Sequence, residues 1–158
     1  MNKIKELVPY IVIVVVVVII RSFIATPVVV SGDSMLPSLK DGQLLLLNKL
    51  SYNFQDIKRF DIVVVKVGKN EIIKRVIGLP GETIEYKDNL LYIDGSPLES
   101  NYNFDTNDFE EIEVYQGKYF VLGDNRAVSS DSRIIGLIDN KDIIGKVSLS
   151  LWPIKIVK

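Results

Sequence analysis

The sequence predicts a mainly β domain carried behind one N-terminal apolar helix, and three observations point there. From about residue 25 onward the chain breaks into short runs rich in Val, Ile, Leu and Tyr, separated by Gly, Pro and Asn/Asp. Residues 7–20 carry no charge and include five consecutive valines, Val14–Val18. After that run, only Asp139 to Ile143 looks like a helical turn. Of the 158 residues, about 130 remain beyond the apolar segment, enough for a single sizeable core.

Residues 1–24 read as a cytoplasmic N-terminus and transmembrane anchor. Leu7 to Ile20 alone is short for a span, but Ile4 to Ile24 reaches the roughly 20 residues a bilayer needs if Glu6 and Arg21 lie near its interfaces. Arg21 can snorkel outward. A cleaved secretory signal would begin similarly, with a basic start and a short apolar core. Its exit would need a small-x-small site, whereas Ala25 here has Phe23 two residues before it and Pro27 soon after. Lys3 and Lys5 precede the run, so the positive-inside rule places the N-terminus in the cytoplasm and residues 25–158 outside the cell membrane.

Within residues 25–158, strands are expected near 28–30, 44–49, 62–67, 71–77, 83–87, 90–93, 111–114, 118–122 and 146–151. In the last of these, Val147, Leu149 and Leu151 alternate with Lys146, Ser148 and Ser150, which predicts one apolar and one polar face. Asp88-Asn89 and Asp94-Gly95 are hairpin turn signals. Residues 96–117 are rich in Asn, Asp and Glu and read as a small flap or excursion. Their carboxylates lack the spacing of a calcium loop and suit a solvated face.

Composition narrows the chemistry. The chain holds 19 basic and 20 acidic residues, with no basic stripe interleaved with aromatics, so nothing supports nucleic-acid binding. Histidine and cysteine are absent altogether. That excludes a Ser-His-Asp triad, a Cys-His pair, a Cys/His zinc site and a redox dithiol.

Ser34 lies in Ser31-Gly32-Asp33-Ser34-Met35-Leu36-Pro37, ordinary turn chemistry taken alone. Lys74 lies in Glu71-Ile72-Ile73-Lys74-Arg75-Val76-Ile77. In a strand, Lys74 shares a face with Ile72 and Val76, while Arg75 points to the other side. Burial among aliphatic groups disfavours an ammonium and lowers its pKa, which makes a neutral amine available as a general base. The alternative is that Lys74 and Arg75 merely charge a strand edge. With no histidine to compete, a Ser-Lys pair is one catalytic arrangement left open.

Four stretches carry a resemblance: 31–39, 60–65, 74–82 and 123–133, the last reading Gly-Asp-Asn-Arg-Ala-Val-Ser-Ser-Asp-Ser-Arg. In order and spacing they resemble the motif boxes of type I signal peptidases, the membrane-bound Ser-Lys proteases that remove secretory signal peptides. The compact, single-span Gram-positive type is the nearer likeness. The resemblance implies that Ser34 is the nucleophile and Lys74 the base, with Ser129 supporting the base. It makes Asp131 and Arg133 a supporting ion pair, places Asp124, Asn125 and Arg126 in a loop that holds the site, and puts Met35 in the substrate cleft. It implies a β catalytic fold shared with self-cleaving repressor proteases, cleavage after a small-x-small motif such as Ala-x-Ala, and no metal or organic cofactor. The partners implied are signal peptides of secretory pre-proteins, membrane lipid and a nearby secretion translocon. Val28, Val29, Met35 and Leu36 would form an apolar rim able to meet lipid.

The sequence departs from the family at several points. Gly32 stands where some members have a serine hydroxyl for the oxyanion, leaving backbone N–H donors. Phe60 replaces the usual glycine, Ser38 a threonine and Glu82 an aspartate. Two other readings remain open: a self-cleaving repressor-type protease, which predicts a DNA-binding head instead of an apolar run, and a non-catalytic tethered β module that binds secreted polypeptides.

Overall fold

The computed structural model describes residues 2–19, 24–98 and 106–157. Helix α1 (Asn2–Ile19) has Pro9 inside it, and its side chains from Leu7 to Val18 are exposed. Among the described residues no helix is long and apolar enough to cross a membrane. The reason lies in the helix's first turns: Lys3, Lys5 and Glu6 leave an uncharged stretch of only about 20 Å at 1.5 Å per residue. The rest of the expected span, including Arg21, lies outside the described residues.

Among the described residues twelve strands follow, in two antiparallel sheets. The first contains β1 (Ala25–Val29), β2 (Leu44–Asn48), β3 (Ile62–Val67), β4 (Asn70–Gly78), β9 (Lys118–Leu122), β10 (Ile138–Asp139), β11 (Ile143–Trp152) and β12 (Ile154–Ile156). Its order is β1-β2-β11-β3-β4-β9-β10, with β12 added to β11. The second sheet is smaller and contains β5 (Thr83–Lys87), β6 (Leu90–Ile93), β7 (Ser96–Pro97) and β8 (Phe109–Glu113) in the order β7-β6-β5-β8. The two strands of the 96–117 stretch therefore pair with the 83–93 hairpin. That hairpin turns through Asp88 and Asn89, both with positive φ, as a tight two-residue turn requires.

Strand β3 shows why the large sheet forms. Ile62 and Val64 pack into one cluster with Met35, Leu39 and Leu45, while Val63 and Val65 pack into another with Val76 and Val121. Both faces of the strand are thus covered, which suits its unbroken β-branched run. Each such buried side chain contributes about 1.5–3 kcal/mol. At Gly78 the two sheets pack too closely for a side chain: a Cβ there would lie 2.8 Å from an Ile84 carbon and 2.9 Å from Phe120 Cβ.

Three expectations need correction. Short helices α2 (Ser51–Phe54) and α3 (Ser132–Ile135) accompany the 3-10 turn at Asn140–Asp142, because single turns leave no periodic signal to find. The alternation of β11 is broken by irregularities at Val147/Leu149 and Ser150/Trp152. Ser150 is consequently buried and accepts a hydrogen bond from Gln43 Nε2 at 2.8 Å. Met35 is no rim residue, being 1 % exposed in the first core cluster, whereas Val29 of the expected rim is exposed, as are Trp152, Ile154 and Ile156.

Candidate active site

The turn bearing Ser34 is shaped by its own sequence. Val30 N–H donates to the Gln43 carbonyl and Gly42 N–H to the Val30 carbonyl, both at 2.9 Å, closing the loop from 30 to 43. Within it, Gly32 has φ +82°, a value glycine adopts freely, and its N–H donates to Asp41 Oδ1 at 2.7 Å. Met35 and Leu39 anchor the far side by full burial. Ser34 is left half-buried at the tip, and its carbonyl accepts the Asn125 N–H at 3.0 Å.

Lys74 comes from the middle of β4, paired with Val63 of β3 and next to Arg75, where the pairing with β9 begins, and its burial rules out the reading as a solvated strand-edge charge. It is 3 % exposed. Its Nζ makes a 2.9 Å hydrogen bond to Ser34 Oγ and another of 2.9 Å to the Ile73 carbonyl. Burial pushes its pKa down, and the charges of Asp131 and Asp124 offset only part of that. The fold thus brings a hydroxyl and a base-weakened ammonium together across 40 residues of sequence. A cavity of about 110 Å³ opens onto the pair, lined also by Val29, Met35, Glu71 and Ile73. Its size suits small side chains.

Residues 123–133 form the floor. Asp131 Oδ2 accepts the Gly123 N–H at 3.0 Å and both Asp131 oxygens accept from the Arg133 guanidinium at 2.8 Å. Burial pushes the Asp131 carboxyl up, but the Arg133 and Gly123 hydrogen bonds, the Ser129 hydroxyl and the Arg133 charge outweigh it and hold the pKa below its ordinary value. Arg126 donates from Nε to the Gly123 carbonyl. Burial, together with the neighbouring Arg133 charge, pushes Arg126 down to about 10. Ser129 Oγ is buried without a hydrogen bond of ordinary geometry, so the fold does not show the Ser129–Lys74 bond that the resemblance implies. Gly123 is obligatory here: a Cβ would lie 2.2 Å from Ser129 Oγ and 2.5 Å from the Ser34 carbonyl oxygen.

Alternation places Arg75 on the opposite face from Lys74, and the alternative reading makes it a strand-edge charge. It is fully buried, and its guanidinium holds Asp124 through two bonds of 2.8 and 2.7 Å. It also donates to the Phe60 carbonyl at 2.9 Å and Ser38 Oγ at 3.2 Å. Arg75, itself in 74–82, therefore ties all four resembling stretches together beside Lys74. The available signal was the apolar run on both sides of it, Ile72-Ile73 and Val76-Ile77, which marks a strand buried on both faces. The departures also find their places: Ser38 keeps the hydroxyl that Arg75 uses, and Glu82 accepts the Leu79 N–H at 2.7 Å and pairs with Arg59. Phe60 occupies φ +71°, a left-handed conformation that explains why glycine is usual there.

Comparison with known proteins agrees with this architecture. A family model described as signal peptidase, peptidase S26, matches residues 4–152. Signal peptidase I of Bacillus caldolyticus is 43% identical over 164 residues, covering 93% of this chain and 90% of that protein. Signal peptidase IB of Staphylococcus aureus is 39% identical over 160 residues, covering 88% and 84%. The crystal structure of a signal peptidase I from Enterococcus faecalis V583 superposes with a TM-score of 0.52 at 37% identity, over 58% of this chain and 97% of that one. The chain belongs to the signal peptidase family, peptidase S26, of serine endopeptidases.

Proposed function

We propose that this chain removes signal peptides from secretory pre-proteins with a Ser34-Lys74 dyad, cutting after a small-x-small motif. The observation that carries this is the 2.9 Å contact between Ser34 Oγ and buried Lys74 Nζ, within the reach general-base transfer needs. In the neutral amine form Nζ takes the proton as Oγ attacks the scissile carbonyl, and the developing oxyanion is received by the Ser34 backbone N–H, the Gly32 N–H being held by Asp41. The ammonium then returns its proton to the leaving amine, and water, activated by the same amine, hydrolyses the acyl-enzyme. Asp131, Arg133, Asp124, Asn125 and Arg126 hold the floor in place, and Met35 closes the bottom of the cavity. An extended substrate adding main-chain hydrogen bonds along the cleft would present alternate small side chains to it.

The same reading makes residues 1–24, a stretch longer than α1, the cytoplasmic N-terminus and single transmembrane anchor, with residues 25–158 outside and 96–117 as a small flap. Val29, Leu44 and Trp152 fall on one row across β1, β2 and β11, and Val29 and Trp152 are 62 % and 74 % exposed, which supports contact with lipid near the translocon. The test is Ser34→Ala in the full-length protein. Precursor processing should be abolished while circular dichroism and membrane recovery stay as in the parent, and a serine acylator should label the parent alone. Processing near the parental rate would reject Ser34 as nucleophile, and a parent that resists the acylator would favour a non-catalytic binding module. Externally added protease should digest residues 81–158 in intact spheroplasts; their protection would reverse the orientation.

A further inference from the structure

We propose that Glu71 makes the cleft selective for charge, favouring precursors with a basic side chain beside the small-x-small motif and disfavouring acidic ones. The inference rests on the peptidase reading above and extends it to the class of substrate.

Glu71 stands near the start of β4, three residues before Lys74, and lines the same cavity as Ser34 and Lys74. It is exposed, and its carboxylate makes no hydrogen bond or ion pair with any described residue. The basic residues beside it are Lys66, its register partner on β3, Lys69 two residues before it and Lys74 three residues after it, and none forms an ion pair with it. Lys74 feels Asp131 and Asp124, and Glu71 is not among the groups that move its pKa. The Glu71 charge is therefore spent neither on the base nor on holding the fold, and it faces the space a substrate must cross.

A peptide extended from the scissile bond at Ser34 covers three residues in about 10 Å, so upstream residues laid toward the start of β4 pass Glu71. Side chains alternate, so if the two small residues enter the cavity, the second and fourth residues before the bond are carried to the rim. There a full charge lies within several ångströms of the carboxylate, in surroundings between protein and water. Partial solvent screening leaves a preference of about five- to tenfold between opposite charges.

The test uses full-length protein in detergent and peptides identical except for Ala, Lys or Glu at the second or, separately, the fourth residue before the scissile bond. For at least one position kcat/KM should favour Lys over Glu by about five- to tenfold, and the preference should shrink as salt rises. Glu71→Gln should level the ratio, and Glu71→Lys should invert it. A structural lesion would instead lower all three peptides together. A Lys-to-Glu ratio that is the same in the parent, Glu71→Gln and Glu71→Lys overturns the inference while leaving the peptidase reading intact. A parent that cuts none of the peptides, Ala included, overturns that reading and the inference with it.

Discussion

The two sheets fill their interiors with different chemistry. Around β4 and β9 the large sheet buries Lys74, Arg75, Asp124, Arg126, Ser129 and Asp131. The small sheet packs Ile84, Tyr86, Leu91 and Val114 against Phe120 and Leu122, with Phe109 stacked 6.1 Å from Tyr86. Hydrocarbon burial stabilises without directional demands, whereas each buried charge requires a partner in a particular place. The large sheet meets that demand with Arg75–Asp124 and Arg133–Asp131, whose carboxylates are at most 1 % exposed. A reactive amine can be kept buried only inside such a lattice. The small sheet needs no such lattice and acts as a buttress, touching the site through Gly78 and Phe120.

Changes on the polar side should separate activity from stability most sharply. Lys74→Arg should lower turnover by about 10²–10⁴-fold, because a guanidinium keeps its proton. Parental activity should rise with pH as Lys74 loses its proton, at a value below 10.5, and this limb should vanish in Lys74→Met. The stability consequence has a definite sign. Folding lowers the Lys74 pKa, so the unfolded chain holds the proton more tightly and stability rises with pH from the lowered value up to 10.5. Denaturation midpoints measured across that range should show a flatter slope for Lys74→Met.

Arg75→Met leaves Asp124 buried and alone, and urea denaturation should report a loss of about 3–5 kcal/mol. Arg75→Met with Asp124→Leu should recover much of that stability but not the activity, since Asn125 and Ser34 would lose their common support. On the apolar side, Ile84→Ala should cost about 2–4 kcal/mol from the cavity it opens, with the pH dependence of activity unmoved. A shifted pH limb in Ile84→Ala would mean that the two sheets are coupled more tightly than their interiors suggest. The smallest effect belongs to Lys118→Ala, which breaks an ion pair with Asp139 whose side chains are 35% and 42% exposed; thermal unfolding should register no more than about 1 kcal/mol.

Much of this molecule was legible from residue order alone. Strands 62–67, 83–87, 90–93 and 118–122 were read within their observed bounds, because β-branched runs between turn residues leave the chain few other options. The absence of histidine and cysteine left a Ser-Lys pair open, and the resemblance of four stretches to the family's motif boxes singled out Ser34 and Lys74. What the residue order could not supply is anything that depends on two distant segments meeting. The burial of Ser150 follows from strand irregularities and a glutamine 107 residues away, and neither changes the local pattern. The role of Arg75 follows from β4 lying inside the sheet, where both faces are covered and side-chain alternation no longer separates core from solvent. Composition and periodicity are local quantities and determined the strands, the turns and the candidate chemistry. The 2.9 Å between Oγ and Nζ, the ion pairs beneath it and the unpaired Glu71 at its rim exist only once β1, β4 and β9 are packed, and the tertiary structure alone decided them.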